Sequence, residues 1–213
     1  TFFRLTEYPW TLAADPRYHW RSHQADRVLT RMRRALLLHA GFVMLTGAPG
    51  TGKTLLSRVL AADMAEEGNR HRFVWLDATS GLTPRALWSE VAAALEIRNP
   101  PRSRTELANQ VRSALEAQAA ENAGLTVVVD EAQLLPRETF LELKRLTNME
   151  TTHKLANVLL VGQPDLLRRL RRPGLAAIAS RIALSAQVPG LRADDVGPYL
   201  RHRLQVAGLN EMP

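Results

Sequence analysis

The chain has 213 residues, a formal net charge of +7 and no cysteine. This length supports one sizeable α/β core with a small appended part, and the lack of cysteine excludes disulfides and thiolate metal sites. The positive charge favours anionic partners such as nucleic acid, acidic lipid or nucleotide without choosing among them. The longest apolar run, 35–45, falls short of the about 20 residues of a membrane span. We expect a soluble, cytoplasmic chain without a signal peptide, and a fragment of a longer protein.

Helix and strand patterns alternate along the chain after an irregular leader at 1–21 that is rich in aromatic residues and prolines. Apolar runs predict strands, and apolar residues that recur every three or four positions predict helices. The predicted strands lie at 41–46, 72–78, 125–130 and 158–163, with a weaker fifth at 182–188. One predicted helix starts at Ser22, a second follows the first strand and ends near 67–69, and the others lie at 83–95, 103–122, 136–149, 165–171, 175–181 and 194–207.

This alternation predicts an α/β three-layer sandwich, in which a mostly parallel five-stranded sheet is covered by helices on both faces. We expect the core at 22–190 and a separate helical segment at 191–213. Ligands of such sheets bind at the carboxyl ends of the strands.

A glycine-rich loop, 47–54, lies between the first predicted strand and the second helix and matches G-x-x-x-x-G-K-[ST]. Its glycines allow unusual dihedral angles and bring backbone N–H groups close to phosphate oxygens. Lys53 is predicted to reach the β- and γ-phosphates of ATP, and Thr54 to offer its hydroxyl to Mg²⁺. The alternative is a glycine turn without a ligand, but it would not explain why every fixed position of the motif is matched and why a predicted strand and a predicted helix flank the loop. The predicted nucleotide-binding residues are Gly47, Ala48, Pro49, Gly50, Thr51, Gly52, Lys53, Thr54 and Leu55.

Two acidic residues, Asp130 and Glu131, end the apolar strand at 125–130. An acid at this position can coordinate Mg²⁺, and the adjacent acid can polarise the water that attacks the γ-phosphate. The alternative is a strand that ends in a solvated acidic turn. Because the pair lies downstream of a phosphate loop, we assign Asp130 to the metal and Glu131 to the water.

Gln163 and a group of arginines are further candidates. The Gln163 amide ends the next strand and is placed to hydrogen-bond the attacking water or the γ-phosphate, or else it caps the helix after Pro164. Arginines cluster at 168–172, and Arg181 follows. Either these arginines form a solvated face, or one of them is an arginine finger that stabilises charge on the γ-phosphate of a neighbouring subunit.

Together these residues resemble the AAA+ class of P-loop ATPases, and more narrowly the ATPase domain of the general secretion pathway protein A family, also called ExeA or GspA. The Asp-Glu-Ala-Gln and Val-Gly-Gln-Pro-Asp-Leu segments are signatures of this resemblance. The stretches that carry it are 3–10, 15–18, 41–54, 130–133, 146–151, 160–166 and 199–204.

The resemblance implies a homo-oligomeric ATPase with nucleotide at its subunit interfaces. Arg181 occupies the place of the family's arginine finger, with Arg171 and Arg172 as alternatives. The leader at 1–21 is expected near the nucleotide, and 191–213 is expected to begin a helical lid whose nucleotide-sensing arginine lies outside the chain or is absent. The implied partner is a secretion or pilus-type envelope complex.

Two alternatives remain open at this level. Related families include the TniB, TnsC and MuB transposition regulators, which form ATP-dependent filaments on double-stranded DNA and recruit a transposase. The second alternative is an ATP-binding scaffold with little hydrolysis.

Overall fold

Five parallel strands form the centre of the computed structural model, which describes residues 5–11, 13–66, 70–188 and 190–209. Their order across the sheet is β2-β3-β4-β1-β5, and every paired neighbour is parallel. The strands are β1 Phe42–Thr46, β2 His71–Asp77, β3 Gly124–Asp130, β4 Asn157–Gly162 and β5 Ile182–Gln187. The five-stranded α/β fold predicted from the sequence is therefore confirmed.

Helices connect successive strands and cover both faces of the sheet. Several begin at the residues that the sequence indicates: the Ser22 side chain accepts a hydrogen bond from Ala25 N, and Thr83 and Ser103 cap α3 and α4 in the same way. The predicted helix end at 67–69 lies outside the described residues. The helices are α1 His23–Leu37, α2 Lys53–Glu66, α3 Pro84–Ala94, α4 Arg104–Ala120, α5 Arg137–Thr147, α6 Asp165–Leu170, α7 Ala176–Ala179 and α8 Ala193–Val206.

The apolar core has two parts, one on each face of the sheet. Successive side chains of β1 point to opposite faces, so Met44 joins the cluster under α3, α4 and α5, whereas Val43 joins the cluster under α1 and α2. All residues of β1 and β4 are buried, as expected for central parallel strands covered on both sides. None of the described helices is both long and apolar enough to cross a lipid bilayer.

The strand register places the sequence motifs at two opposite edges of the sheet, one formed by the carboxyl ends of the strands and the other by their amino ends. Thr46, just before the glycine loop, pairs with Gly162, just before Gln163. At the other edge Phe42, at the start of β1, pairs with Ile182, which follows Arg181. The phosphate loop and Gln163 therefore share the carboxyl edge, and Arg181 lies at the amino edge.

The leader is bound to helix α8, although the two are at opposite ends of the chain. Thr6 N donates to Ala207 O at 2.8 Å, and Arg203 Nε donates to Pro9 O at 2.6 Å. The Arg203 guanidinium also lies 4.7 Å from the centre of the Tyr18 ring, a cation–π distance. These contacts hold the leader and α8 together beside the glycine loop.

His71 makes stability depend on pH. Burial lowers the pKa of His71 to about 4, with His39 adding to the effect, and its Nε2 lies 2.6 Å from Thr126 Oγ1. The unfolded chain, with a His pKa of about 6.5, binds more protons between these values, so the free energy of unfolding falls as pH drops from 6.5 toward 4.

We therefore expect His71→Gln to reduce the loss of stability between pH 7 and pH 5 by at most about 2 kcal/mol. Urea unfolding of both proteins at the two pH values measures this difference. His23, an exposed histidine at the start of α1, provides the control variant His23→Gln. Equal pH dependence in wild type and His71→Gln would contradict the prediction.

Candidate nucleotide-binding site

The glycine loop joins β1 to α2, and its glycines are required for two different reasons. Gly50 and Gly52 have φ angles of +77° and +83°, which favour glycine, and a Cβ built on either meets nothing within 4 Å. Gly47 is needed for space, because a Cβ there would lie 2.6 Å from Thr51 Oγ1 and 3.0 Å from Val188 O. The loop therefore presents its backbone to open space at the start of α2.

Lys53, the first residue of α2, is a buried cation. Lys53 is only 7% exposed, and its ammonium donates a hydrogen bond to Ala48 O at 3.0 Å. Within the described ranges no carboxylate pairs with it. An ammonium has three donors, and burying a charge without compensation is costly. The arrangement therefore suits an anion that supplies the missing acceptors.

Thr54 and Asp130 bring two oxygen ligands together. Thr54 Oγ1 donates to Asp130 Oδ2 at 2.6 Å, while Asp130 Oδ1 accepts from Glu131 N at 2.9 Å. Mg²⁺ prefers oxygen ligands and is commonly bound by one or two carboxylates together with substrate phosphates and water. A hydroxyl and a carboxylate beside a phosphate loop fit this ion.

Glu131 follows β3 in a left-handed backbone conformation, with φ of +48°. Its carboxylate accepts a hydrogen bond from Gln133 Nε2, and its side chain faces the cavity beside the loop. Gln163 follows β4, and its backbone N donates to Gln133 Oε1 at 3.1 Å. Gln163 lies at the same edge of the sheet but is not among the described residues that line the cavity.

The cavity beside the loop has a volume of about 750 Å³, within the size range of small-molecule sites. The loop and Glu131 form one wall, and the leader and α8 form the other. Aromatic rings are concentrated on the second wall, where a base or sugar would lie if the phosphates occupy the loop. The lining residues outside the loop include Trp10, Tyr18, Trp20, Glu131, Tyr199 and Arg203.

Arg181 does not take part in this cavity. It is exposed, and its guanidinium donates to Asn148 Oδ1. The five residues of β1 separate the two edges of the sheet by about 16 Å at 3.3 Å per residue. The alternative arginines, Arg171 and Arg172, are also exposed, just after α6. The structure thus brings together Lys53, Thr54, Asp130 and Glu131. The candidate finger arginines Arg171, Arg172 and Arg181 are not among the described residues that line the cavity.

Sequence reasoning missed two residues. Gln133 belongs to a signature segment, but nothing in its spacing indicates that its amide joins Glu131 to the end of β4. Arg203 of α8 also lines the cavity, and the expectation that a nucleotide-sensing arginine of the lid lies outside the chain or is absent stays a prediction. A partner such as Pro9 O, far away in sequence, gives no local signal.

Known proteins match the chain in both sequence and fold. The AAA domain family model matches residues 34–170. General secretion pathway protein A of Aeromonas hydrophila is 35% identical over 209 residues, 97% of this chain and 38% of that protein. The chain thus spans well under half of that relative.

Two solved structures illustrate the similarity in fold. Cdc6p of Pyrobaculum aerophilum has a TM-score of 0.69 at 24% identity and covers 91% of this chain and 52% of its own. The ORC1 protein of Aeropyrum pernix, solved in complex with DNA, has a TM-score of 0.67 at 20% identity. The match covers 92% of this chain and 52% of that protein. The chain therefore belongs to the AAA domain family, has the α/β fold of the AAA+ P-loop proteins, and resembles general secretion pathway protein A.

Proposed function

We propose that this chain binds ATP with Mg²⁺ at the glycine loop, hydrolyses it as a subunit of a cytoplasmic homo-oligomer, and uses ATP-driven assembly to act on an envelope secretion or pilus-type complex. The observation that carries the first part is the buried Lys53 ammonium, which has no carboxylate partner among the described residues, beside the Thr54–Asp130 oxygen pair. The similarity to general secretion pathway protein A over 97% of this chain supports the second part.

Each side chain has a separate task in this mechanism. The loop N–H groups and Lys53 would bind the β- and γ-phosphates, and Thr54 and Asp130 would hold Mg²⁺. When bound, that ion neutralises charge on the phosphate oxygens. Glu131 accepts a proton from the water that attacks the γ-phosphorus, while the bond from that phosphorus to the bridging oxygen breaks and ADP leaves with the electron pair. The amide of Gln163 is proposed to orient that water or the γ-phosphate.

Arg181 is proposed as the finger that completes the site of a neighbouring subunit. The glycine loop of its own subunit lies at the other end of β1, about 16 Å away by the strand spacing, beyond the reach of its side chain. Its exposed position before β5 leaves it accessible to a second copy. An arginine that approaches the γ-phosphate from outside supplies a positive group where Asp130 and Gln163 supply none.

Accordingly, Arg181→Ala is expected to leave ATP binding by the monomer nearly unchanged and to remove ATP-stimulated oligomerisation and most hydrolysis, by about 10³-fold. Mixing Arg181→Ala with Lys53→Ala protein tests action in trans, because some interfaces then pair an intact site with an intact finger and recover activity. Arg98→Ala, at an exposed position on the loop before α4, is the matched control. If the two variants assemble together and remain inactive, the proposed trans role is wrong.

The DNA-binding alternative has an observation of its own. Arg27, Arg31 and Arg34 lie on the exposed face of α1, and no carboxylate of the described residues pairs with them. With the net charge of +7, they favour non-specific contacts to phosphate. The ORC1 relative was solved with DNA.

Electron microscopy of the protein with ATP, with and without duplex DNA, distinguishes these functions. Rings that form without DNA support the secretion proposal, whereas filaments that require DNA contradict it and favour the transposition-type function. ATP-bound assemblies whose phosphate release is negligible with and without DNA would instead indicate a scaffold.

A further inference from the structure

Gln133 connects the two sides of the proposed catalytic centre. Its Nε2 donates to Glu131 Oε2, and its Oε1 accepts from the backbone N of Gln163 at 3.1 Å. One amide group therefore joins the turn after β3 to the end of β4.

The chemistry of its partners fixes the orientation of this amide. The Gln163 N–H can only donate, so the atom that faces it must be the amide oxygen. The ionised carboxylate of Glu131 can only accept, so it must face the NH₂ group. The usual ambiguity between the oxygen and nitrogen of a glutamine side chain does not arise here.

The backbone of Gln133 is fixed as well. Arg169 on α6 donates to the carbonyl oxygens of Gln133 and Leu135, and its guanidinium lies 5.5 Å from the centre of the Phe140 ring. Gly162 leaves room for the side chain, because a Cβ there would lie 2.5 Å from Gln133 Oε1. The amide is therefore held by its surroundings and is not a freely rotating surface group.

This arrangement leaves one carboxylate oxygen of Glu131 available. Oε2 is occupied by Gln133, whereas Oε1 makes no hydrogen bond to the described part of the chain. Glu131 lines the cavity. Because each carboxylate oxygen has about two acceptor sites, Oε1 is the oxygen with the greater free capacity to accept a proton from water.

We propose that Gln133 is a positioning residue that fixes the Glu131 carboxylate relative to the end of β4, with Oε1 directed to the attacking water. This inference rests on the proposed role of Glu131 in hydrolysis. Gln133 touches neither substrate nor metal and acts only through Glu131.

Gln133→Ala is the first test, with Gln110→Ala on the exposed face of α4 as its control. Because misorientation of a catalytic group affects the chemical step more than binding, we expect kcat to fall about 10- to 100-fold while KM for ATP changes less than about twofold. In a Glu131→Gln background the same change should cause no further loss, because two residues that act through one contact are not additive. A wild-type or higher kcat in Gln133→Ala, or an equal further loss in that background, would overturn the proposal.

A second variant tests the contact without replacing Gln133, and a second readout tests it without measuring turnover. Gly162→Ala must displace the amide oxygen, so it should lower kcat similarly and add little to Gln133→Ala. In the nucleotide-free protein, amide exchange measured by NMR should be faster at Gln163 in both variants, because its N–H loses its acceptor. Unchanged exchange at Gln163 would contradict the bridge.

The outcomes separate the role of Glu131 from the role of Gln133. If Glu131→Gln itself retains turnover, the assignment of Glu131 fails. If Glu131→Gln loses turnover while Gln133→Ala does not, the assignment of Glu131 stands and only the positioning role is wrong.

Discussion

Lys53→Ala is expected to weaken ATP binding by at least about 10²-fold, because the β- and γ-phosphates lose charge-assisted hydrogen bonds worth about 1.5–3 kcal/mol each. The folded state should tolerate the change, since the ammonium is buried with Ala48 O as its acceptor and without a carboxylate partner in the described ranges. Isothermal titration with ATP and Mg²⁺ measures the affinity, and thermal unfolding checks the fold.

The matched control is Lys154→Ala. This lysine pairs with Glu150 just before β4, at the edge of the sheet opposite the loop, so its loss should leave ATP affinity unchanged. Tight ATP binding by a folded Lys53→Ala protein at physiological Mg²⁺ would contradict the assignment of the loop.

Glu131→Gln should separate binding from hydrolysis. The amide keeps the shape of the side chain but cannot accept a proton from water, so ATP binding is expected to persist while turnover falls by about 10²-fold or more. The protein should then accumulate as ATP-bound oligomers. Phosphate release measures turnover, and light scattering with ATP measures assembly.

Glu138→Gln, an exposed acid in the first turn of α5, controls for the change of charge. Turnover that stays at the wild-type level in purified Glu131→Gln protein would place the base elsewhere.

The sequence predicts the central strands well because β1, β3 and β4 are buried on both faces and therefore read as continuous apolar runs. β5 has a weaker signal because it is an edge strand whose residues alternate between partly buried and exposed. The order β2-β3-β4-β1-β5 has no local signal, because neighbouring parallel strands are distant in sequence.

The functional residues divide in the same way. The glycine loop, Lys53 and Thr54 are contiguous, so one motif describes their geometry. Gln133 and Arg203 act through contacts across 30 and 194 positions of sequence, which no periodicity encodes.

A structure of the protein with a non-hydrolysable ATP analogue and Mg²⁺ tests the central claim most directly. We expect the β- and γ-phosphates against the loop N–H groups and Lys53, the metal ion between Thr54 and Asp130, and the base against the wall formed by the leader and α8. An analogue bound elsewhere, or phosphates at the loop with Lys53 still turned to Ala48 O and no metal beside Asp130, would contradict this account.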